Sequence, residues 1–172
     1  MVETLQHPWE IEQLLHLWDN LDAQNALEIG AWEGGTLRHW LTSGTCCTEV
    51  VVIDDQMRRA DEWNAIADTA RTALTLIQGR SQDTDVIERA REHGPYDFVF
   101  IDADHNYEAG RQDWENYSPM VASGGLIALH DIRRYDHGDL DRLWDEIKPG
   151  RRTLEINDRG REAWGGIGVV WM

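Results

Sequence analysis

The chain has 172 residues, 41% of them hydrophobic, with a mean hydropathy of -0.55 and a net charge of -16 from 32 acidic and 16 basic residues. That length suits one domain with a full core. No apolar run approaches the roughly 20 residues that span a bilayer, and the excess of acids repels phosphate backbones, so neither a membrane nor a nucleic acid is expected as a partner.

The N-terminal stretch MVETLQHPWEIEQ lacks the basic and apolar regions of a secretory signal. The two cysteines, Cys46 and Cys47, are adjacent and match no disulfide, zinc or redox spacing, so a reducing cytoplasm is the expected compartment. Ile11, Leu14, Leu15 and Trp18 have helical spacing and predict a leading helix within residues 1–22. A Rossmann-like core is expected over residues 23–172. It begins with a short strand, Ala26 to Ile29, then the loop GAWEGG and a helix through Leu37, Trp40 and Leu41. The β-branched run Val50 to Asp54 reads as a buried parallel strand, followed by a helix about Trp63, Ile66 and Ala70. A strand at Leu74 to Ile77 precedes a helix carrying Val86, Ile87 and Ala90. The segment YDFVFID supplies the next strand, and a helix is expected from about Asn106 to Tyr117. The strand Leu126 to His130 and a helical stripe of Leu140, Leu143, Trp144 and Ile147 follow. TLEIN and GIGVVWM, with no helix between them, predict a closing hairpin-like pair. The nine tryptophans are scattered and are expected mostly in the core.

Five βα units and a closing pair define an α/β fold. It is a doubly wound, Rossmann-like sheet of seven strands, mostly parallel with an antiparallel last strand and helices on both faces. Ligands of such sheets collect at the carboxyl ends of strands, here Gly30, Asp54, Gly79, Asp102 and Asp131. The first of these loops, E-I-G-A-W-E-G-G-T from Glu28 to Thr36, departs from the dinucleotide fingerprint because Trp32 stands where a glycine admits the pyrophosphate. Asp54 nevertheless ends the second strand, where an acid accepts ribose hydroxyls. A nucleoside without phosphates, such as S-adenosylmethionine, satisfies both observations.

Taken in order, ALEIGAWEGGT, VVVIDD, IQGRSQD, YDFVFIDADHNY, SGGLIALHD, LWDEIK and GIGVVWM cover nearly the whole chain. In these motifs it resembles the class I S-adenosylmethionine-dependent methyltransferases. Within them it is most similar to the metal-dependent small-molecule O-methyltransferases of sugars, macrolides and phenols. The resemblance implies that Glu28, Gly30, Trp32, Gly35 and Thr36 contact the methionine part of the cofactor. It also implies that Asp54 holds the ribose, with Asp55 beside the adenine. Gly79, Arg80 and Ser81 would border the adenine edge, Arg80 standing where many relatives carry an acid. It further implies a divalent metal, Mg²⁺ or Mn²⁺, at Asp102, His130 and Asp131, Asp102 also bordering the cofactor. His130 replaces an oxygen ligand of the relatives and either ligates or turns away.

Methyl transfer to a hydroxyl requires removal of its proton. Two residues compete for that role: His105, whose ordinary pKa lies near neutral, and Asp104. Asn106 reads as the cap of the following helix, and Tyr107 as a packing residue. His137 and Arg133 sit in a loop near the expected entrance. The expected function is metal-assisted O-methylation of a small hydroxylated molecule. The alternatives are a non-catalytic cofactor-binding scaffold and an N- or protein-directed methyltransferase, the latter opposed by DADH where an N-P-P-Y-like motif would stand. Short loops imply either a homodimer that completes the pocket or a large, loosely enclosed acceptor.

Overall fold

Runs of Val, Ile and Phe become the central strands because both of their faces can be covered by helices, which removes the need for a polar side. The computed structural model describes residues 7–42, 47–133, 139–157 and 165–172; Cys46 and His137 lie outside them. The strands are β1 (Asn25–Ile29), β2 (Glu49–Asp54), β3 (Ala73–Gln78), β4 (Tyr96–Ile101), β5 (Val121–Arg133), β6 (Thr153–Ile156) and β7 (Gly165–Trp171). The helices are α1 (Pro8–Leu21), α2 (Gly35–Thr42), α3 (Ala60–Ala70), α4 (Thr84–His93), α5 (Tyr107–Tyr117) and α6 (Leu140–Ile147). The sheet order is β3-β2-β1-β4-β5-β7-β6. β1 to β5 pair in parallel, and β7 runs antiparallel to both β5 and β6. The expected seven-stranded, doubly wound sheet with a reversed last strand is therefore what forms.

The two faces bury separate cores. On one, α1, α2 and α3 pack Leu14, Trp18, Trp40 and Trp63 against Val50, Val52, Phe98 and Phe100. On the other, α4, α5 and α6 bring Val86, Tyr117, Leu143 and Trp144 onto Leu27, Val51, Val99 and Ile127. Strand residues alternate between these clusters with the period of two that a pleated strand imposes. Trp18, Trp40 and Phe98 form a triangle with ring centroids 5.1–5.2 Å apart, the spacing of tilted and edge-on aromatic pairs. Four tryptophans (Trp18, Trp40, Trp63 and Trp144) are core residues as expected, whereas Trp9 and Trp32 are exposed.

Successive strands are added outward in opposite directions from β1 and from the parallel β4 beside it, so their carboxyl ends open a crevice at this switch point. Backbone bonds from Gly30 N to Ile53 O (2.8 Å) and from Asp102 N to Ile29 O (2.8 Å) carry the sheet to its rim there. β5 departs most from the sequence expectation, beginning at Val121 rather than Leu126. β5 runs on to Arg133 because β7 pairs with it beyond His130, across an irregularity between His130 and Arg133. Asp131, inside that irregularity, takes a left-handed backbone with φ 58°. Bulges of this kind re-aim a side chain at a sheet rim.

Candidate active site

The loop after β1 is shaped by Gly30 and Asp54. Gly30 adopts φ +86°, and a side chain there would place its first carbon 2.2 Å from the carbonyl oxygen of Asp102, so only glycine lets β1 and β4 approach this closely. Asp54 accepts four backbone hydrogen bonds. Its Oδ2 takes those of Ala31 (3.0 Å) and Trp32 (2.9 Å), and its Oδ1 those of Gln56 (2.8 Å) and Met57 (3.2 Å). One buried carboxylate thus ties the loops after β1 and β2 together. Trp32 is held with φ 51°, its ring exposed and covered by the Arg58 guanidinium at 4.1 Å.

Glu28 lies beneath this loop, fully buried in mid-sheet between Val52 and Phe100. The Thr36 hydroxyl donates to its Oε1, while Oε2 has no hydrogen-bond partner among the described residues. Burial pushes the Glu28 carboxyl up to about 8; the Thr36 bond opposes the shift, and the charges of Asp102 and Asp54 add to it. The second glycine of the turn that carries a positive φ is Gly34 (+82°), packed onto the Trp63 indole, while Gly35 is already the first residue of α2. Two adjacent glycines give no sequence signal as to which one turns.

A cavity of about 480 Å³ opens over the crevice, within the roughly 300–1,000 Å³ range of small-molecule sites. Of the residues expected at the cofactor, Gly30, Trp32, Asp54, Asp55, Gly79, Arg80, Ser81 and Asp102 line it, joined by Asp104 and His105. Glu28, Gly35 and Thr36 do not line it: the alternation of β1 turns Glu28 into the core, where it reaches Thr36. Sequence reasoning missed Gln82, which lines the cavity beside Ser81. The signal available was its place three residues after Gly79, in the loop that leaves β3.

The acids after β4 and β5 do meet. His130 Nδ1 lies 3.0 Å from Asp102 Oδ1 and 3.7 Å from Asp131 Oδ1. His130 is buried, and its Nε2 has no hydrogen-bond partner among the described residues. Burial alone would lower its pKa, but Asp102 and Asp131 outweigh that and hold it at about 9. His105, from the loop before α5, pairs through Nδ1 with Asp131 Oδ2, and this bond raises its pKa against the opposing effect of burial. Donor atoms of Asp102, His105 and Asp131 lie within 4.8 Å of one another, a grouping able to hold a cation. This grouping differs from the expected Asp102, His130 and Asp131: His105 takes the third place, and His130 bonds to Asp102. Asp104 Oδ1 accepts from the backbone N–H of Asn106 (3.1 Å) and from its side-chain Nδ2 (2.6 Å). Asn106 caps α5 as expected, its Oδ1 accepting from Ala109 N at 2.9 Å. Tyr107 is a packing residue as expected, half-buried against the core beneath α4, α5 and α6, and its hydroxyl donates to Glu146 at 2.8 Å.

The pattern of the methyltransferase-domain family matches residues 27–132, so the chain belongs to that family. No curated protein matches it by sequence. Its fold is similar to that of an O-methyltransferase from Bacillus cereus solved with SAH, at a TM-score of 0.75 and 20% identity over 96% of this chain and 82% of that one. TomG, an O-methyltransferase from Streptomyces achromogenes involved in tomaymycin synthesis and solved with SAM, gives a TM-score of 0.73 at 20% identity, covering 98% and 81%. MycE, a methyltransferase of the mycinamycin pathway solved with Mg and SAH, gives 0.63 at 21% identity, over 93% of this chain and 47% of its own. The chain is thus a methyltransferase with the Rossmann-like fold of the class I enzymes. No helix among the described residues is long and apolar enough to cross a membrane.

Proposed function

We propose that this chain is a single-domain, cytoplasmic enzyme that transfers the methyl group of S-adenosylmethionine to a hydroxyl of a small molecule. The reading rests on one observation: the cavity runs without a break from the glycine loop and Asp54 to His105. Its lining carries four carboxylates (Asp54, Asp55, Asp102 and Asp104) against one guanidinium, Arg80, which suits a cationic sulfonium nucleoside and opposes a diphosphate. S-adenosylmethionine, when bound, supplies the activated methyl group.

His105 is assigned as the base. Its pairing through Nδ1 with Asp131 leaves Nε2 as the atom that receives the acceptor's proton, and the carboxylate stabilises the imidazolium that results. Asp104 is the weaker candidate because both bonds from Asn106 already hold its Oδ1 at the start of α5. Asp102 and Asp131 would hold a divalent cation, with His105 adjoining them, and two carboxylates suit Mg²⁺ or Mn²⁺. Such a cation supplies Lewis acidity that lowers the pKa of a bound hydroxyl. His130 is assigned to orienting Asp102 through Nδ1, as the partners of ligating carboxylates commonly do. A second copy of the chain completing the open side of the cavity belongs to the same proposal.

The test is methyl transfer from radiolabelled S-adenosylmethionine to a panel of phenols, sugars and macrolides, with Mg²⁺, with Mn²⁺ and with EDTA. Turnover that stops in EDTA, and that falls about 10²–10⁴-fold in His105→Ala, is the expected result. Tight binding of S-adenosylhomocysteine without turnover on any acceptor would favour the scaffold alternative. Labelling of amines or proteins but not hydroxyls would overturn the acceptor class.

A further inference from the structure

Asp113 is a fully buried carboxylate in α5 that the proposed chemistry does not use. Its Oδ1 accepts from Gln82 Nε2 at 2.8 Å, and its Oδ2 has no hydrogen-bond partner among the described residues. The same Gln82 nitrogen donates to Ser81 Oγ at 2.7 Å, and the Tyr117 hydroxyl, one turn further along α5, donates to Ser81 O at 2.7 Å. The loop after β3 is therefore fastened to α5 at two points, and Ser81 and Gln82 line the cavity.

We propose that Asp113 is a positioning residue for the nucleobase, fixing the Gln82 amide so that its oxygen, and not its nitrogen, is offered to the ligand. An ionised carboxylate only accepts hydrogen bonds, so the Gln82 nitrogen must face it. Both amide hydrogens are then committed, and the polar atom left for a ligand is Oε1, an acceptor. An acceptor at this place selects a base that presents an exocyclic amino group and rejects one that presents a carbonyl. Burial raises the Asp113 carboxyl to about 6, with the Gln82 bond opposing the shift, which leaves it ionised in mildly alkaline buffer. The inference rests on the reading of the cavity as a nucleoside site.

It is tested by calorimetric titration at pH 8 with S-adenosylhomocysteine and with its deaminated analogue S-inosylhomocysteine, in which a carbonyl replaces the amino group. The wild type is expected to prefer the adenosyl compound by about tenfold or more, the worth of one partly buried hydrogen bond. Asp113→Asn can donate to Gln82, lets the amide turn over, and is expected to bring the two affinities within about threefold of each other. A merely structural role would weaken both ligands alike and keep their ratio, which would overturn the inference. Gln82→Leu, on the cavity wall, serves if Asp113→Asn does not fold: loss of the preference is expected, and its retention overturns the inference. A wild type that binds neither compound refutes the nucleoside reading itself, whereas a preference unaltered in the variants refutes only the role of Asp113.

Discussion

Glu28→Gln should make this protein more stable in alkaline solution and leave it nearly unchanged in acid. In the fold the Glu28 carboxyl is fully buried, with Oε2 unpartnered among the described residues, and its pKa rises from 4.5 to about 8. The folded chain then holds this proton more tightly than the unfolded chain does. Its contribution is fully present below about pH 4.5 and is lost as pH rises through about 8. At about 1.4 kcal/mol per pH unit, that window is worth on the order of 5 kcal/mol. A glutamine in its place cannot ionise, and its carbonyl oxygen can still accept the Thr36 hydroxyl. Urea denaturation of wild type and variant at intervals from pH 4.5 to 9, without cofactor, reads the difference directly. Contributions of all other titrating groups cancel to first order. The curves should lie within about 1 kcal/mol of each other at the acid end and separate by several kcal/mol at the alkaline end. Parallel curves would refute the reasoning, because they would mean that Glu28 keeps its ordinary pKa in the fold.

Gly30→Ala is expected to cost roughly 2 kcal/mol or more, from a strained left-handed backbone and from contact with the Asp102 carbonyl. It should also abolish S-adenosylhomocysteine binding by calorimetry; wild-type stability and affinity would contradict the close approach of β1 and β4. Phe98→Ala removes one corner of the Trp18–Trp40–Phe98 triangle and should lower stability by about 3–5 kcal/mol in urea denaturation. A loss below about 1 kcal/mol would mean that the aromatic cluster repacks.

Hydrophobic period and punctuation made the fold legible. Val50 to Ile53, Phe98 to Ile101 and Leu126 to Leu129 are apolar on both faces, and a strand with that pattern has to be sandwiched between helices. Acids placed where such runs stop, Asp54 and Asp102, marked the rim of the sheet. Strand order then made Asp102 and the His130-Asp131 pair neighbours, and the structure joins them. Side-chain direction was less legible. Glu28 sits in the loop motif that suggests a ligand contact, yet the alternation of β1 carries it into the core.

The sequence by itself determined the succession of βα units, the reversed last pair and the positions at which polar groups would surface. These follow from local patterns that repeat every two or 3.6 residues. Only the tertiary structure decided what those groups do there. The bulge between His130 and Arg133, created by pairing with β7, turns Asp131 toward His105 and leaves His130 facing Asp102. Asp113 meets Gln82 across 31 residues of chain. Such contacts depend on register and on packing between distant segments, and neither is written in the residues next to them.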